Sequence, residues 1–109
     1  METRDYEMAL APQVAALLNA IGWEGRFVKG QIDNLNAKSP DPNTRSLVVL
    51  EDERLVGYVT ATLYEWNYLG KIQGLAVHPN YRRRGLASDL VAAIEEFIRQ
   101  RGGRGVYVD

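Results

Sequence analysis

The chain of 109 residues contains no cysteine and a single histidine. Without cysteine there can be no disulfide, no thiolate metal ligand and no cysteine nucleophile, and one histidine cannot form a multi-histidine metal site. We therefore expect no bound metal. The absence of cysteine also suits a reducing compartment, and residues 1–5 lack the basic and apolar pattern of a secretory signal. On these grounds we predict a cytoplasmic location.

The sequence also lacks a strong net charge and a long apolar run. Its formal net charge is -1, which gives no overall attraction to nucleic acid or to an anionic membrane surface. No apolar run approaches the roughly 20 residues that a membrane-spanning helix needs, so we expect neither nucleic acid nor membrane as a partner. A hydrophobic share of 46% and a charged share of 25% are typical of a folded globular protein, and the length predicts one domain over residues 1–109.

Two helices are predicted in the first third of the chain. Apolar side chains recur at helical spacing over residues 8–21, and Gly22 supplies a natural stop. Over residues 25–35 the apolar positions again fit one helical face, but Gly30 in the middle costs about 1 kcal/mol relative to alanine. The pattern there predicts a short or irregular helix. Prolines and turn-forming residues predict a loop over residues 38–43.

Three strands are predicted next. Residues 47–50 and 55–63 are rich in valine, leucine and threonine and flank the polar turn 51–54, so they should pair as an antiparallel hairpin. A further strand is predicted over about Leu69–Val77. It contains Gly74, which a strand normally uses for a bulge or a close backbone approach.

The last part of the chain predicts a crossover connection. Residues 85–101 carry an apolar stripe at helical spacing, and residues 105–109 begin another strand. Strand, helix and strand in this order form a right-handed crossover, so the last strand should lie parallel to Leu69–Val77. The predicted fold class is therefore α/β (α+β), in which a mixed sheet combines an antiparallel part with this parallel crossover and follows two helices.

The turn that precedes the helix 85–101 suggests an anion-binding site. An ordinary helix begins after Ser, Thr, Asp or Asn, but here the nearest such residue is Asn80, several positions upstream. The arginines 82–84 oppose the positive end of the helix dipole, and a bound pyrophosphate would resolve that conflict. The alternative is a solvated basic loop. The turn matches neither the P-loop pattern nor the dinucleotide fingerprint, which needs three glycines where this turn has only Gly85.

The same residues carry a resemblance to a known family. Arg82, Gly85 and Ala87 follow the pattern Arg/Gln-x-x-Gly-x-Gly/Ala, which resembles the acyl-coenzyme A site of the GNAT superfamily of N-acyltransferases. Residues 75–79, with the sequence Leu-Ala-Val-His-Pro, and Tyr81 are also similar to the family's residues before that pattern. The predicted helices and strands come in the family's order along the whole chain.

The resemblance implies a substrate pair and a binding site. The acyl donor would be acetyl-coenzyme A, and a small-molecule or peptide primary amine would attack it directly. The amides of residues 83–87 would hold the pyrophosphate, and main-chain groups of Leu75 and Val77 would bind the pantetheine arm. The full set of expected cofactor-binding residues is Leu75, Ala76, Val77, Arg82, Arg83, Arg84, Gly85, Leu86, Ala87 and Ser88.

Three questions stay open at the level of sequence. The catalytic residues are unidentified. For the general base there are two hypotheses, which are Glu65 and a chain of water molecules. The chain could also be a non-catalytic acyl-coenzyme A-binding module or one part of an assembled acetyltransferase. Members of the family continue beyond the strand that corresponds to residues 105–109, so we expect a second copy, another polypeptide or an exchanged element to cover its open edge.

Overall fold

The computed structural model describes residues 1–38 and 41–108, which form a mixed α/β fold as the sequence predicts. The described strands build one five-stranded sheet in the order β1-β2-β3-β4-β5. No helix within these two ranges is both long and apolar enough to cross a membrane. In chain order the elements are β1 (Glu2–Asp5), a 3-10 turn (Met8–Leu10), α1 (Ala11–Ala20), α2 (Gly25–Lys38), β2 (Thr44–Glu51), β3 (Arg54–Tyr64), β4 (Leu69–Val77), a second 3-10 turn (Pro79–Tyr81), α3 (Leu86–Gln100) and β5 (Gly105–Val108).

The antiparallel part of the sheet contains the predicted hairpin and one strand that the sequence did not predict. Strands β2 and β3 pair around a turn in which Asp52 and Glu53 both have positive φ angles, 50° and 66°. Strand β1 pairs with β2, from Glu2 opposite Leu50 to Asp5 opposite Leu47. All four side chains of β1 are exposed, so β1 lacks the apolar alternation by which a strand is recognised.

The crossover from β4 through α3 to β5 is parallel, as predicted. The register runs from Leu69 opposite Gly105 to Ile72 opposite Val108. Residues 73–77 of β4 therefore extend beyond this pairing, and their side towards β5 stays open along the described chain. Asp109, the last residue of the predicted strand 105–109, lies outside the described residues.

Helix α2 corrects one prediction. The structure shows a continuous helix to Lys38, where the sequence predicted a short or irregular one over 25–35. Gly30 is exposed and an added Cβ would meet nothing within 4 Å, while Val28 and Leu35 are buried in the core. Packing of the apolar face therefore outweighs the cost of one glycine. Residues 39 and 40 of the predicted loop 38–43 lie outside the described residues.

The apolar side chains form two cores, one for each face of the sheet. The first packs α1 and α2 against the sheet and includes Val14, Leu18, Leu35, Val48 and Tyr58. The second packs α3 against the other face and includes Val56, Val59, Leu90, Ile94 and Ile98. Each face thus holds its own helices, and the end of β4 meets the start of α3 at the border of both cores.

Candidate functional site

The connection from β4 to α3 is a tight, left-handed turn. His78 begins it, because its Nδ1 atom accepts a hydrogen bond from the Asn80 amide at 3.1 Å and caps the 3-10 turn. Arg83 and Gly85 then have φ angles of 67° and 78°, a region in which glycine is unstrained and arginine is not. The single histidine thus has a structural contact, and the turn aims the chain directly into α3.

Helix α3 begins without a side-chain cap. Gly85 occupies the cap position and has no side chain that could accept a hydrogen bond from the first amides of the helix. The first amide of the helix with a helical partner belongs to Asp89, which bonds to the Gly85 carbonyl at 2.9 Å. An α-helix offers no internal acceptor to the amides before that one, which here are the amides of residues 86–88. These amides, with the positive end of the dipole, form a site suited to an anion.

One cavity of about 450 Å³ lies between the end of β4 and the start of α3, and we call it the β4–α3 cavity. It brings together nine of the ten residues expected to bind the cofactor. The tenth, Arg84, instead lays its guanidinium over the ring of Tyr81, 4.9 Å from the ring centre. The lining residues are Ile21, Leu75, Ala76, Val77, Tyr81, Arg82, Arg83, Gly85, Leu86, Ala87 and Ser88.

The charged residues that line this cavity are both positive. Among its described lining residues none carries a carboxylate, and Arg82 and Arg83 are both exposed to solvent. The Nε atom of Arg82 donates a long hydrogen bond of 3.4 Å to the Val77 carbonyl, which ties the turn to the end of β4. A larger cavity of about 650 Å³ lies beside β1, but it is lined by charged residues of both signs and by none of the ten.

Tyr81 links this turn to the neighbouring strand. A hydrogen bond to the Glu51 carboxylate, at the end of β2, raises the pKa of the Tyr81 hydroxyl. The edge of its ring also faces His78 at 5.9 Å between ring centres. Tyr81 therefore fixes the turn through two contacts, one with β2 and one with His78, before α3 begins.

Glu65, the hypothetical general base, lies apart from this cavity. It follows β3 directly and is exposed, and its Oε1 atom accepts a hydrogen bond from Asn43 Nδ2 at 2.9 Å. Asn43 in turn accepts a hydrogen bond from Arg101 at 3.1 Å. These three residues line a different cavity of about 440 Å³ near the end of α3. The structure therefore does not bring Glu65 together with the ten expected residues.

A buried polar pair beside the β4–α3 cavity was missed by the sequence analysis. The Tyr58 hydroxyl and the Gln31 Nε2 atom are both buried, and apart from their approach to each other neither has a hydrogen-bond partner among the described residues. Both lie against Gly74, at the place where the β3–β4 register shifts. Gly74 itself signalled the bulge, but nothing in the sequence indicates that residues of α2 and β3 meet there.

Burial governs the acidity of this tyrosine. It raises the pKa of Tyr58 to about 12, and a side-chain hydrogen bond with Gln31 opposes that rise. The phenol therefore stays protonated at neutral pH.

Comparison with known proteins gives both sequence and structural matches. The family model described as Acetyltransferase (GNAT) family matches residues 15–109. No curated protein matches the chain. Similar solved structures include aminoglycoside 6'-N-acetyltransferase complexed with coenzyme A, which is 19% identical with a TM-score of 0.79 over 99% of this chain and 61% of that one.

Two further structures extend the likeness. An aminoglycoside acetyltransferase from an uncultured soil metagenomic sample, in complex with sisomicin, is 24% identical with a TM-score of 0.78 over 99% of this chain and 76% of that one. An aminoglycoside antibiotic 6'-N-acetyltransferase from Acinetobacter haemolyticus is 18% identical with a TM-score of 0.82 over 100% of this chain and 79% of that one.

Because the three solved structures share only 18–24% of their residues with this chain, the structural matches establish the fold alone. The chain spans 61% of the length of the coenzyme A complex, so that protein's complete activity is not transferred with the fold. The family model, in contrast, matches the sequence itself and covers nearly the whole chain. The protein therefore belongs to the GNAT acetyltransferase family.

Proposed function

We propose that the chain binds acetyl-coenzyme A in the β4–α3 cavity and transfers the acetyl group to a primary amine. One observation carries this proposal: two sets of backbone groups without hydrogen-bond partners among the described residues, one from a helix and one from a strand, meet at the same cavity. The uncapped amides at the start of α3 open into it, and so do the β4 residues Leu75, Ala76 and Val77, which extend beyond the pairing with β5.

The residues present fit each part of the donor. The amides of residues 86–88 and the guanidinium groups of Arg82 and Arg83 suit a diphosphate, because charge-assisted hydrogen bonds to N–H groups are stronger than neutral ones. The unpaired edge of β4 suits an amide-containing pantetheine arm, which can pair with it as an added strand does. The absence of carboxylates from the described lining removes a source of repulsion against the phosphates.

The reaction needs no covalent enzyme intermediate. The lone pair of a neutral amine attacks the thioester carbonyl carbon, the carbon–sulfur bond breaks, and the amine loses one proton while the departing thiolate gains one. The protein's part is to hold the thioester in line with the amine and to exclude competing water. A chain without cysteine can perform every step of this scheme.

We further propose a small-molecule amine as the acceptor. Support comes from the structural neighbours, which are described as aminoglycoside acetyltransferases, one of them in complex with sisomicin. A suitable test panel contains four kinds of amine, which are sisomicin, any simple polyamine, free lysine and a short peptide with a free N-terminus. Acetylation of the peptide alone would replace the small-molecule proposal with a peptide one.

Two measurements separate an enzyme from a binding module. Isothermal titration with coenzyme A and with acetyl-coenzyme A measures binding, and release of free thiol in the presence of the amine panel measures transfer. Binding with amine-dependent thiol release supports the enzyme. Binding without release by any amine favours the non-catalytic module, and no binding of either molecule contradicts the proposal as a whole.

We also propose that the β5 edge is covered in the working protein. Strand β5 forms one end of the described sheet, and Tyr107 on it is 37% exposed. An open edge of this kind invites pairing with a second chain. Light scattering should therefore give a mass above that of one chain, and a monomer at micromolar concentration would contradict this proposal.

A further inference from the structure

The Tyr58 hydroxyl and the Gln31 side-chain amide meet at the β4 bulge with no partner outside the pair. Tyr58 is 1% exposed, and among the described residues neither its hydroxyl nor Gln31 Nε2 has a hydrogen-bond partner other than its pair mate. A Cβ on residue 74 would lie 2.6 Å from the Tyr58 hydroxyl oxygen and would also collide with Gln31 Nε2. Only a glycine therefore lets both polar groups approach the backbone of β4 at this point.

A buried polar group without a partner destabilises the folded protein, so such groups in native structures call for an explanation. Replacement of the hydroxyl by hydrogen would remove this cost. Even when one N–H of the Gln31 amide points to the phenol oxygen, the Tyr58 O–H and the second Gln31 N–H are left without an acceptor among the described residues.

The chemistry of the two groups limits what an acceptor for them can be. A phenol that stays protonated at neutral pH is no general base. With a pKa of about 12 for Tyr58, it also cannot protonate a thiolate efficiently, because ordinary thiols are far more acidic. A carboxamide neither gains nor loses a proton. The pair can therefore donate two neutral hydrogen bonds to an oxygen atom, as donors of an oxyanion site do.

The pair lies next to the β4–α3 cavity. In the β3–β4 register Tyr58 is directly opposite Ala76, which lines that cavity. Gly74 directly precedes Leu75, which is 36% exposed and also lines it. Neither Tyr58 nor Gln31 is part of the cavity lining, but the pair lies just beyond its Leu75 end, which is the end away from the arginines and the start of α3.

We propose that the Tyr58 hydroxyl and the Gln31 amide donate hydrogen bonds to the carbonyl oxygen of the acyl group during transfer. This inference rests on the proposed function, since it needs the thioester to lie in the β4–α3 cavity. The bonds strengthen as negative charge develops on that oxygen when the amine attacks, so they lower the barrier to transfer more than they tighten binding.

The test is the infrared carbonyl band of bound acetyl-coenzyme A labelled with ¹³C at the acetyl carbonyl. Hydrogen bonds to a carbonyl weaken its double bond and lower its stretching frequency. We expect a lower frequency on the wild-type protein than in water, a rise in Tyr58→Phe and in Gln31→Leu, and a further rise when both are replaced. Coenzyme A affinity should stay within about twofold in all variants.

Tyr64→Phe is the matched control. Tyr64 lies on the same strand and its hydroxyl is used within the protein, because it accepts a hydrogen bond from Gln73 at 3.2 Å. Its removal should leave the carbonyl band unchanged. With an amine from the panel that is acetylated, Tyr58→Phe should lower kcat on the order of 10²-fold, as loss of one oxyanion donor does, and Tyr64→Phe should not.

Thermal unfolding supplies a second readout. Because the Tyr58 O–H has no acceptor among the described residues, Tyr58→Phe should raise Tm or leave it unchanged, whereas Tyr64→Phe should lower it. An unchanged carbonyl band in Tyr58→Phe and Gln31→Leu, or a clear loss of Tm in Tyr58→Phe, overturns this inference while the proposed function stands. Failure of the wild-type chain to bind coenzyme A overturns the proposed function first.

Discussion

Replacement of Gly85 by alanine tests the diphosphate site most directly. Gly85 has a φ of 78°, and an added Cβ would meet nothing within 4 Å. The left-handed region costs a residue with a Cβ about 1–2 kcal/mol relative to glycine, and each kcal/mol lowers Tm by roughly 4–8 °C in a chain of this size. The fold should therefore survive, while the new methyl group projects beside the open amides of α3.

The expected loss of affinity follows from the hydrogen bonds at risk. One hydrogen bond from an amide to a charged oxygen is worth about 1.5–3 kcal/mol, so its loss weakens coenzyme A binding roughly 10- to 150-fold. Isothermal titration at fixed salt measures this change. The affinity should also fall with rising salt, because Arg82 and Arg83 contribute screened charge.

Gly102→Ala is the matched control for that experiment. Gly102 has a φ of 86°, is exposed, and also offers open space to a Cβ, but it lies at the other end of α3. The two variants should lose similar stability, and only Gly85→Ala should lose affinity. Equal coenzyme A affinity in Gly85→Ala and the wild type would refute the diphosphate site.

Four further predictions concern the core, the end of α3, the hypothetical base and the buried phenol. Ile94 is 0% exposed, so Ile94→Ala should lower the free energy of unfolding in urea by about 2–5 kcal/mol. A Cβ on Gly103 would lie 2.8 Å from the Ile98 carbonyl oxygen, so Gly103→Ala should cost about 1–3 kcal/mol in the same assay. Glu65→Gln should leave the pH dependence of kcat/KM unchanged, because this carboxylate lines a different cavity. If the variant instead lost the acidic limb of that pH profile, Glu65 would be the general base after all. Burial raises the pKa of Tyr58 from 10.0 to about 12, so ionisation of this phenol should leave the free energy of unfolding unchanged below pH 10 and lower it as the pH rises towards 12, and Tyr58→Phe should remove that fall.

Most of the fold could be predicted from the sequence because its elements have strong local patterns. The strand Leu69–Val77 begins and ends where predicted, and α3 differs by only one residue at each end. The parallel pairing of β4 with β5 followed from the handedness of crossovers rather than from any residue. In each case local pattern and tertiary packing favour the same structure.

The misses have a common physical cause, which is that tertiary contacts decide where the local signal is weak. Strand β1 is short and exposed, and it exists because β2 offers it an edge for hydrogen bonding. Helix α2 continues past Gly30 because Val28 and Leu35 anchor it to the core. The turn at Asp52 and Glu53 has positive φ angles without glycine or asparagine, so its residue types gave no sign of its geometry.

The residues in and beside the candidate site also divide into those whose placement could be predicted from the sequence and those whose placement could not. The basic turn and the start of α3 are contiguous in sequence, so their placement could be predicted residue by residue. Tyr58 and Gln31 lie on different elements, and each alone is typical of an ordinary strand or helix. Only the packing of α2 over β3 and the missing side chain of Gly74 bring their polar atoms together.

The position of β3 has a consequence for the motions of the molecule. It is the central strand of the described sheet, and residues 55–63 form an unbroken buried stretch within it. Its amide protons should exchange with deuterated solvent only on global unfolding, long after those of the edge strands β1 and β5. Tyr58 therefore lies on the part of the chain that we expect to open last, whereas Gln31, which approaches it, lies on α2 outside the sheet.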